Sequence, residues 1–324
     1  MGSPSNTSIP QAAQRALDRA AMLHLRDPNV SLIDVGFRIR DRQGYRIEEE
    51  LCVRVHLRWK PYGEAFGAFA ARYPERVVRP ERVGFAVDVP QADYSIQWWP
   101  WYRPAPSRRR GGVFSPLRGG ISVSNAWKPG YGTLGGKVID RETEAEMILS
   151  NWHVLVGSWY VPPDAPIYQP GRWHGGRREH TVARLTRDGM ERYIDAAVAR
   201  LTGARPLTND QLGLGPVTGA GAPRVGMRVT KSGCGSGVTT GMITGLEGRR
   251  VEHYHGVRRV IRHTVHIART PAGGEVSRRG DSGSWWLEEE TRRAVGLHFA
   301  GSDVPEYGVA IAMPQVLDAL NVRI

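Results

Sequence analysis

Three well-separated side chains in this sequence have the types and contexts that nucleophilic chemistry needs. Ser282 stands in Gly280-Asp281-Ser282-Gly283-Ser284, His153 in Ser150-Asn151-Trp152-His153-Val154, and Asp195 in Tyr193-Ile194-Asp195-Ala196-Ala197-Val198. A serine hydroxyl is a weak nucleophile. It requires a base within hydrogen-bond reach, and the base requires a carboxylate that holds it in the right tautomer. Glycines on both sides of Ser282 permit a tight turn that presents the hydroxyl. The same turn would aim the backbone N–H groups of Gly280 and Ser282 at one point, where a developing oxyanion could sit. His153 ends an apolar strand-like run, and Asp195 opens another, where a buried carboxylate is costly unless a donor such as an imidazole N–H meets it. Asp164 and Asp188 are rival acids, but PPDAP and TRDGM are turn contexts. The chemistry implied is acyl transfer, with His153 as base, Asp195 as its orienting partner and Ser282 as nucleophile.

The elements that must position these groups are mostly short strands. From residue 119 onward, GTLGGKVID, AEMILSN, DAAVARL, RVGMRVTKSG, TTGMITGLEG, VIRHTVHIA, SGSWWLE, RAVGLHFAG and YGVAIAM are separated by Gly-rich turns, and PQVLDALNVRI reads as a final helix. Such regular spacing predicts a mainly β sandwich or barrel. Residues 1–96 read as a small α+β N-terminal domain. It has a helix over 9–25, strands VSLIDVGFRIR and LCVRVHLRWK about a DRQGY turn, a short helix GEAFGAFAARYP and a third strand VGFAVDVP. His24 and His56 in this part are isolated and read as structural. Residues 97–118 are rich in Pro, Arg and Gly and read as a linker. Its Trp98, Trp99, Trp101 and Tyr102 are expected to pack on a neighbouring domain.

GDSGS at 280–284, SNWHV at 150–154 and DAAVARL at 195–201 resemble the three signatures of chymotrypsin-like (trypsin-like) serine peptidases, in the order His, Asp, Ser. The separations, 195 − 153 = 42 and 282 − 195 = 87 residues, suit one barrel and most of a second. VGMRVTKSGCGSG followed by TTGMITG resembles the start of the second barrel in bacterial members. SNWHV and GLHFAG are similar to intracellular members, the plant narrow-leaf type included. The resemblance covers residues 119–324 and implies a chymotrypsin-like double β-barrel peptidase domain, acting as a serine endopeptidase on proteins or peptides without a cofactor. Trp285 departs from the family, where a proline is commoner, and the usual disulfides are missing. The resemblance also assigns substrate-binding residues. Val276 stands where relatives that cut after Arg or Lys carry Asp, so cleavage after basic residues is not expected. Gly296-Leu297-His298 resembles the Gly-Ile-His element of staphylococcal glutamyl endopeptidases. With Ser277, it implies a preference for acidic side chains, against a small or apolar preference through Val276. Gly301 would offer its backbone to the substrate strand. In many relatives the acid before the serine pairs with an amino terminus freed by cleavage. Here that would be Asp281, with Arg118 in Arg-Gly-Gly-Ile as the activation site and Arg110 as an exposed second candidate. A site formed without cleavage, with Asp281 paired elsewhere, is the alternative.

Composition narrows the partners. The formal charge is +12, which favours acidic partners, yet the arginines are dispersed and no nucleic-acid-binding motif occurs, so a solvated basic surface is expected and nucleic acid is not. His253, His255, His263 and His266 lack metal-ligand spacing, and no metal is expected. Two cysteines, Cys52 and Cys234, exclude a disulfide framework. MGSPSNTSIPQAAQ has no apolar signal core, and no segment reaches membrane-span length. A cytoplasmic location and no membrane association are the expectation. The N-terminal domain is expected to have a regulatory role, to recruit a partner or substrate, or to support folding. The competing reading is a latent or inactive protease-fold binding protein.

Overall fold

The computed structural model describes residues 9–40, 46–96, 110–270, 273–303 and 306–324. Its strands build two curled sheets, and the chain is mainly β. In the first, eight strands run in the order Val322–Arg323, Gly136–Asp140, Glu146–Ser150, Ala197–Leu201, Thr181–Asp188, Pro166–Tyr168, Ser122–Asn125 and Gly132–Thr133. Gly132–Thr133 and Gly136–Asp140 are nearly continuous in the chain yet stand near opposite ends of that order, so the sheet wraps round on itself. In the second, Arg228–Gly233, Trp285–Glu288, Ala294–Asp303, Glu306–Ala312, Val257–Ala268 and Gly237–Tyr254 pair in succession. Pairing of Arg228–Gly233 with Gly237–Tyr254 closes the ring. Two curled sheets of this kind are the double-barrel arrangement that the resemblance implies, within the sandwich or barrel that the strand pattern alone predicts.

The N-terminal elements join the second sheet directly. Strand Val30–Arg40 pairs with Gly237–Tyr254 at Ile33↔Arg249, Val35↔Leu246 and Gly36↔Gly245, and Arg46–Leu57 pairs with its outer edge. Helix Gln11–His24 buries Ala13, Ala16, Leu17 and Ala20 on one stripe against Ile33, Val35, Val53 and Val55, the spacing a helix needs to cover a sheet. The α+β character of this part was legible, but its hairpin is an extension of the barrel sheet. Asp34 and Arg54 face each other across that hairpin, and Arg54 donates through Nε and Nη2 to the Asp34 carboxylate, so this fully buried charge pair is satisfied.

Three expectations are revised. The segment VGFAVDVP yields only the two-residue strand Val87–Asp88; Pro90, which has no N–H to donate, interrupts the ladder. Trp98, Trp99, Trp101 and Tyr102 lie outside the described residues, but the end of the stretch read as linker is built into the fold. Leu117–Gly119 pairs in parallel with Leu207–Gln211, and Arg110 is not an exposed site. Its guanidinium donates to Gly120 O, Ser232 Oγ and Leu212 O. Third, the predicted strands TTGMITGLEG and VIRHTVHIA stop short of EHYHGVRR, whose His253 and His255 read as strand residues. That segment is the tip of one long hairpin, because Gly237–Tyr254 and Val257–Ala268 pair as far as Tyr254↔Val257. Arg250, Glu252 and Tyr254 alternate along this tip and hide the apolar period that marks a strand. Among the described residues no helix is long and apolar enough to cross a membrane.

Candidate active site

Strand Glu146–Ser150 lies beside Ala197–Leu201 with Ser150 opposite Ala197. The residues just past Ser150 and just before Ala197 therefore meet. His153, on the single turn of helix Trp152–Leu155, donates its backbone N–H to Asp195 Oδ1 at 3.1 Å, and its Nδ1 lies 2.7 Å from Oδ2. Asn151 Nδ2 donates to the Asp195 carbonyl at 2.7 Å, fixing the same corner from the other side. Because a carboxylate only accepts, the ring proton is assigned to Nδ1 and Nε2 is left as the basic nitrogen. That Nε2 is buried and has no hydrogen-bond partner.

A further group completes the corner. Tyr254, at the tip of the long hairpin, donates its hydroxyl to Asp195 Oδ2 at 2.7 Å. Burial and the Asp195 charge push the phenol pKa well above its ordinary value, so the hydroxyl stays a donor. Trp159 Nε1 bonds the Tyr254 carbonyl at 2.8 Å, and the Trp152 indole stands edge-on to the Tyr254 ring. Sequence reasoning missed Tyr254, since its partner is 59 positions away and nothing near it in sequence marks the role. Of the rival acids, Asp164 pairs with Arg184 at the surface, and Asp188 accepts the Met190 N–H.

Ser282 sits in the turn entering Trp285–Glu288, at the seam between barrels. Thr133 of the first barrel donates its N–H to Ser282 O at 2.7 Å and its hydroxyl to Gly280 O at 2.8 Å. Gly280 and Gly283 have φ of 96° and 98°, a left-handed conformation that glycine adopts without strain. At Gly283 a Cβ would lie 2.1 Å from Ser150 Oγ and 2.2 Å from Thr133 O, so the barrels could not close on any other residue. Within the turn, the N–H groups of Asp281, Gly283 and Ser284 are bonded to Arg278 O, His298 O and Asp281 O. Among the described residues, neither the Gly280 nor the Ser282 N–H donates a hydrogen bond. The Ser282 hydroxyl donates to Phe299 O at 3.2 Å, not to His153, and Ser282 is 0 % exposed.

Asp281 is held by five donors. Lys231 Nζ lies at 2.7 Å, Ser236 Oγ at 2.6 Å, and the N–H groups of Gly235, Ser236 and Arg278 each at 2.9 Å. Burial pushes the Asp281 pKa up, but Lys231 and these hydrogen bonds outweigh it and the net shift is downward. Lys231, absent from the sequence reading, takes the place beside Asp281 for which the sequence left open an amino terminus freed at Arg118 or a partner elsewhere. Arg118 itself lies within the paired strand Leu117–Gly119, and the residues after it are buried.

The other assigned residues converge beside the serine. A Cβ at Gly308 would stand 3.2 Å from Val276 Cγ1 and 3.4 Å from His298 Cε1, so Val276, Gly308 and His298 share one space. The Ser277 hydroxyl is buried without a partner. His298 Nδ1 accepts from Trp286 Nε1 at 3.2 Å. Burial first, and the Lys231 charge second, lower its pKa to about 3, so the imidazole is neutral near pH 7. Gly301 pairs with Gly308 on one side and Ser95 on the other. Of the four clustered histidines, His263 contacts Glu247 and His255 contacts Lys128 at the surface, and His266 is buried in the barrel.

No protein family matches this chain in a scan of family profiles, and no curated protein matches it by sequence. Solved structures similar to it include a Nocardiopsis protease (16% identity, TM-score 0.47) that aligns over 64% of this chain and 98% of its own. A glutamic-acid-specific serine protease described as using a histidine triad in substrate binding aligns over 64% of this chain and 100% of its own, at 18% identity and TM-score 0.48. Cellulomonas bogoriensis chymotrypsin aligns over 64% and 98%, at 18% identity and TM-score 0.44.

Proposed function

We propose that this chain is a serine endopeptidase with His153, Asp195 and Ser282 as its catalytic triad. The observation that carries the reading is the His153 ring, fixed by Asp195 through Nδ1 and left with an unpartnered Nε2, at the seam where a glycine-flanked serine turn leaves two N–H groups unbonded. Rotation of the Ser282 side chain takes Oγ off Phe299 O and toward His153 Nε2. His153 accepts the hydroxyl proton as Oγ attacks the peptide carbonyl carbon, and Asp195 stabilises the imidazolium. The Gly280 and Ser282 amides bind the tetrahedral oxyanion, where one such donor is typically worth about 3–4 kcal/mol. His153 then passes its proton to the leaving amine, and water repeats the sequence on the acyl-enzyme. The Lys231–Asp281 pair supports a turn already formed in the uncut chain, the alternative weighed against activation at Arg118.

For the residue before the scissile bond, Ser277 and His298 offer a hydroxyl and a neutral imidazole. These favour a side chain that ends in a carboxylate or amide, Glu above all, over a purely apolar one. A peptide library incubated with the chain and with Ser282→Ala tests both statements. Cuts that vanish in the variant and cluster after Glu or Gln are expected. No Ser282-dependent cut, either by the chain or by a variant freed of the Ser95–Ile96 strand that pairs with Ala300–Gly301, would overturn the peptidase reading, and cuts after Leu, Ala or Val would overturn the preference.

A further inference from the structure

The edge of strand Ala294–Asp303 that faces away from Glu306–Ala312 is covered by three successive parts of the chain. Trp285–Glu288 pairs along it from Ala294 to Leu297. The serine turn follows, with the Gly283 N–H on His298 O and the Ser282 hydroxyl on Phe299 O. Next to the serine, at Ala300 and Gly301, the partner is a short strand from the N-terminal part, Ser95–Ile96, running antiparallel with Ile96 opposite Ala300 and Ser95 opposite Gly301. The chain direction of this short strand therefore points at Phe299 and Ser282. A peptide whose carbonyl is to be attacked by Ser282 has to lie extended, with its backbone groups paired to a strand edge. The edge adjoining the nucleophile is this one.

From this register we infer that Ser95–Ile96 occupies the place of the substrate residues on the amino side of the scissile bond, so that the chain in its resting form is inhibited by its own N-terminal part. The inference rests on the peptidase reading above. The strand is anchored from behind by an unbroken hydrogen-bond chain. His56 Nε2 faces Asp34 Oδ1 at 3.3 Å, so its Nδ1 accepts from the Tyr94 hydroxyl at 2.8 Å. That hydroxyl in turn accepts from His266 Nε2 at 2.9 Å, whose Nδ1 accepts from Thr244 Oγ1 at 2.6 Å. Every link is buried, and both histidines have pKa values lowered chiefly by burial, which keeps them in the neutral tautomers the chain requires. Arg250 donates to the Tyr94 carbonyl at 3.0 Å, and Ser31 Oγ donates to the Ala92 carbonyl at 2.6 Å. Ile96 packs on the main core, whereas Ser95 is exposed. A strand tethered this way competes with free peptide at an effective concentration on the order of millimolar, above what micromolar substrate can displace.

The test separates occupancy from chemistry. In a Ser282→Ala background, a fluorescein-labelled peptide with the sequence of residues 92–97, Ala-Asp-Tyr-Ser-Ile-Gln, is titrated into the full chain and into the same chain carrying Ser95→Pro and Ile96→Asp. The proline removes a backbone donor and the aspartate opposes packing on the core. Binding at least tenfold tighter to the substituted chain is expected. Equal affinity for both, or binding to neither, overturns the inference. If the double variant does not fold, Ser95→Pro alone, at an exposed position, is judged by the same criterion. Catalysis plays no part in this readout, so a peptidase reading that failed for lack of Ser282 chemistry would show in the library experiment instead.

Discussion

Two fully buried aspartates lie near Ser282, and they are held in opposite ways. Asp195 accepts from His153 through backbone and ring and from Tyr254. None of these partners carries a permanent charge, so in the proposed mechanism the carboxylate is free to stabilise a charge that appears on the imidazole. Asp281 is neutralised at rest by Lys231, with four further donors closing around it. The first arrangement keeps an electrostatic response in reserve. The second uses it up to hold the shape of a turn. On the proposed reading, each buried acid near Ser282 is assigned to catalysis or to architecture by whether its partner can change charge.

Substitutions that exchange these roles give the largest expected effects. Asp195→Asn should reduce kcat by about 10⁴-fold, because the wrong tautomer of His153 is then held, while the urea midpoint stays near that of the parent. Lys231→Met should show the reverse emphasis. It leaves Asp281 buried without its cation and costs about 3–5 kcal/mol of stability by urea titration. If Lys231→Met left stability unchanged, the architectural role of Asp281 would be lost. Next in size, Tyr254→Phe removes one donor from Asp195 and should lower kcat roughly tenfold, equivalent to about 1.4 kcal/mol, with KM little changed. An unchanged kcat would restrict Tyr254 to packing.

Acid titration sharpens the same contrast. The folded pKa of Asp281 lies below its unfolded value, so its contribution to stability is present above about pH 4 and is lost as pH falls through the lower, folded value. That loss should be absent from a Lys231→Met, Asp281→Asn double variant. His298 acts in a higher window. Its folded pKa of about 3 lies below its unfolded value of 6.5, so the unfolded chain binds the extra proton between the two. Stability should therefore decline as pH falls from about 6.5 toward 3. The decline should be shallower in His298→Gln, and an unchanged slope would show that the imidazole is not held neutral.

Ser282, His153 and Asp195 could be singled out because each sits in a local pattern: glycines about Ser282, a strand end at His153, and an apolar run behind Asp195. Of these the structure joins His153 to Asp195 by a hydrogen bond. The mainly β character was legible for the same reason, in short strands with turn residues between them, whereas the double barrel followed only from the resemblance to chymotrypsin-like peptidases. Tyr254 and Lys231 were not, since each reaches its acid across the barrels and the residues around it name no partner. Ser95–Ile96 reads as the end of a separate domain until its pairing with Ala300–Gly301 is seen. The N-terminal hairpin's alternation revealed a strand, but periodicity cannot say which strand lies at its edge. Arg110 looked exposed beside other arginines and glycines, and only the fold supplies the three acceptors that hold its guanidinium.

The central claim is that Ser282 becomes a nucleophile through His153 and Asp195. It is tested most directly by reacting the chain, and the chain carrying Ser95→Pro with Ile96→Asp, with a small fluorophosphonate and locating the adduct by mass spectrometry. The expected result is a single adduct on Ser282, formed faster in the substituted chain and absent from His153→Ala. An adduct that persists in His153→Ala, or no adduct on Ser282 in either folded chain, would contradict it.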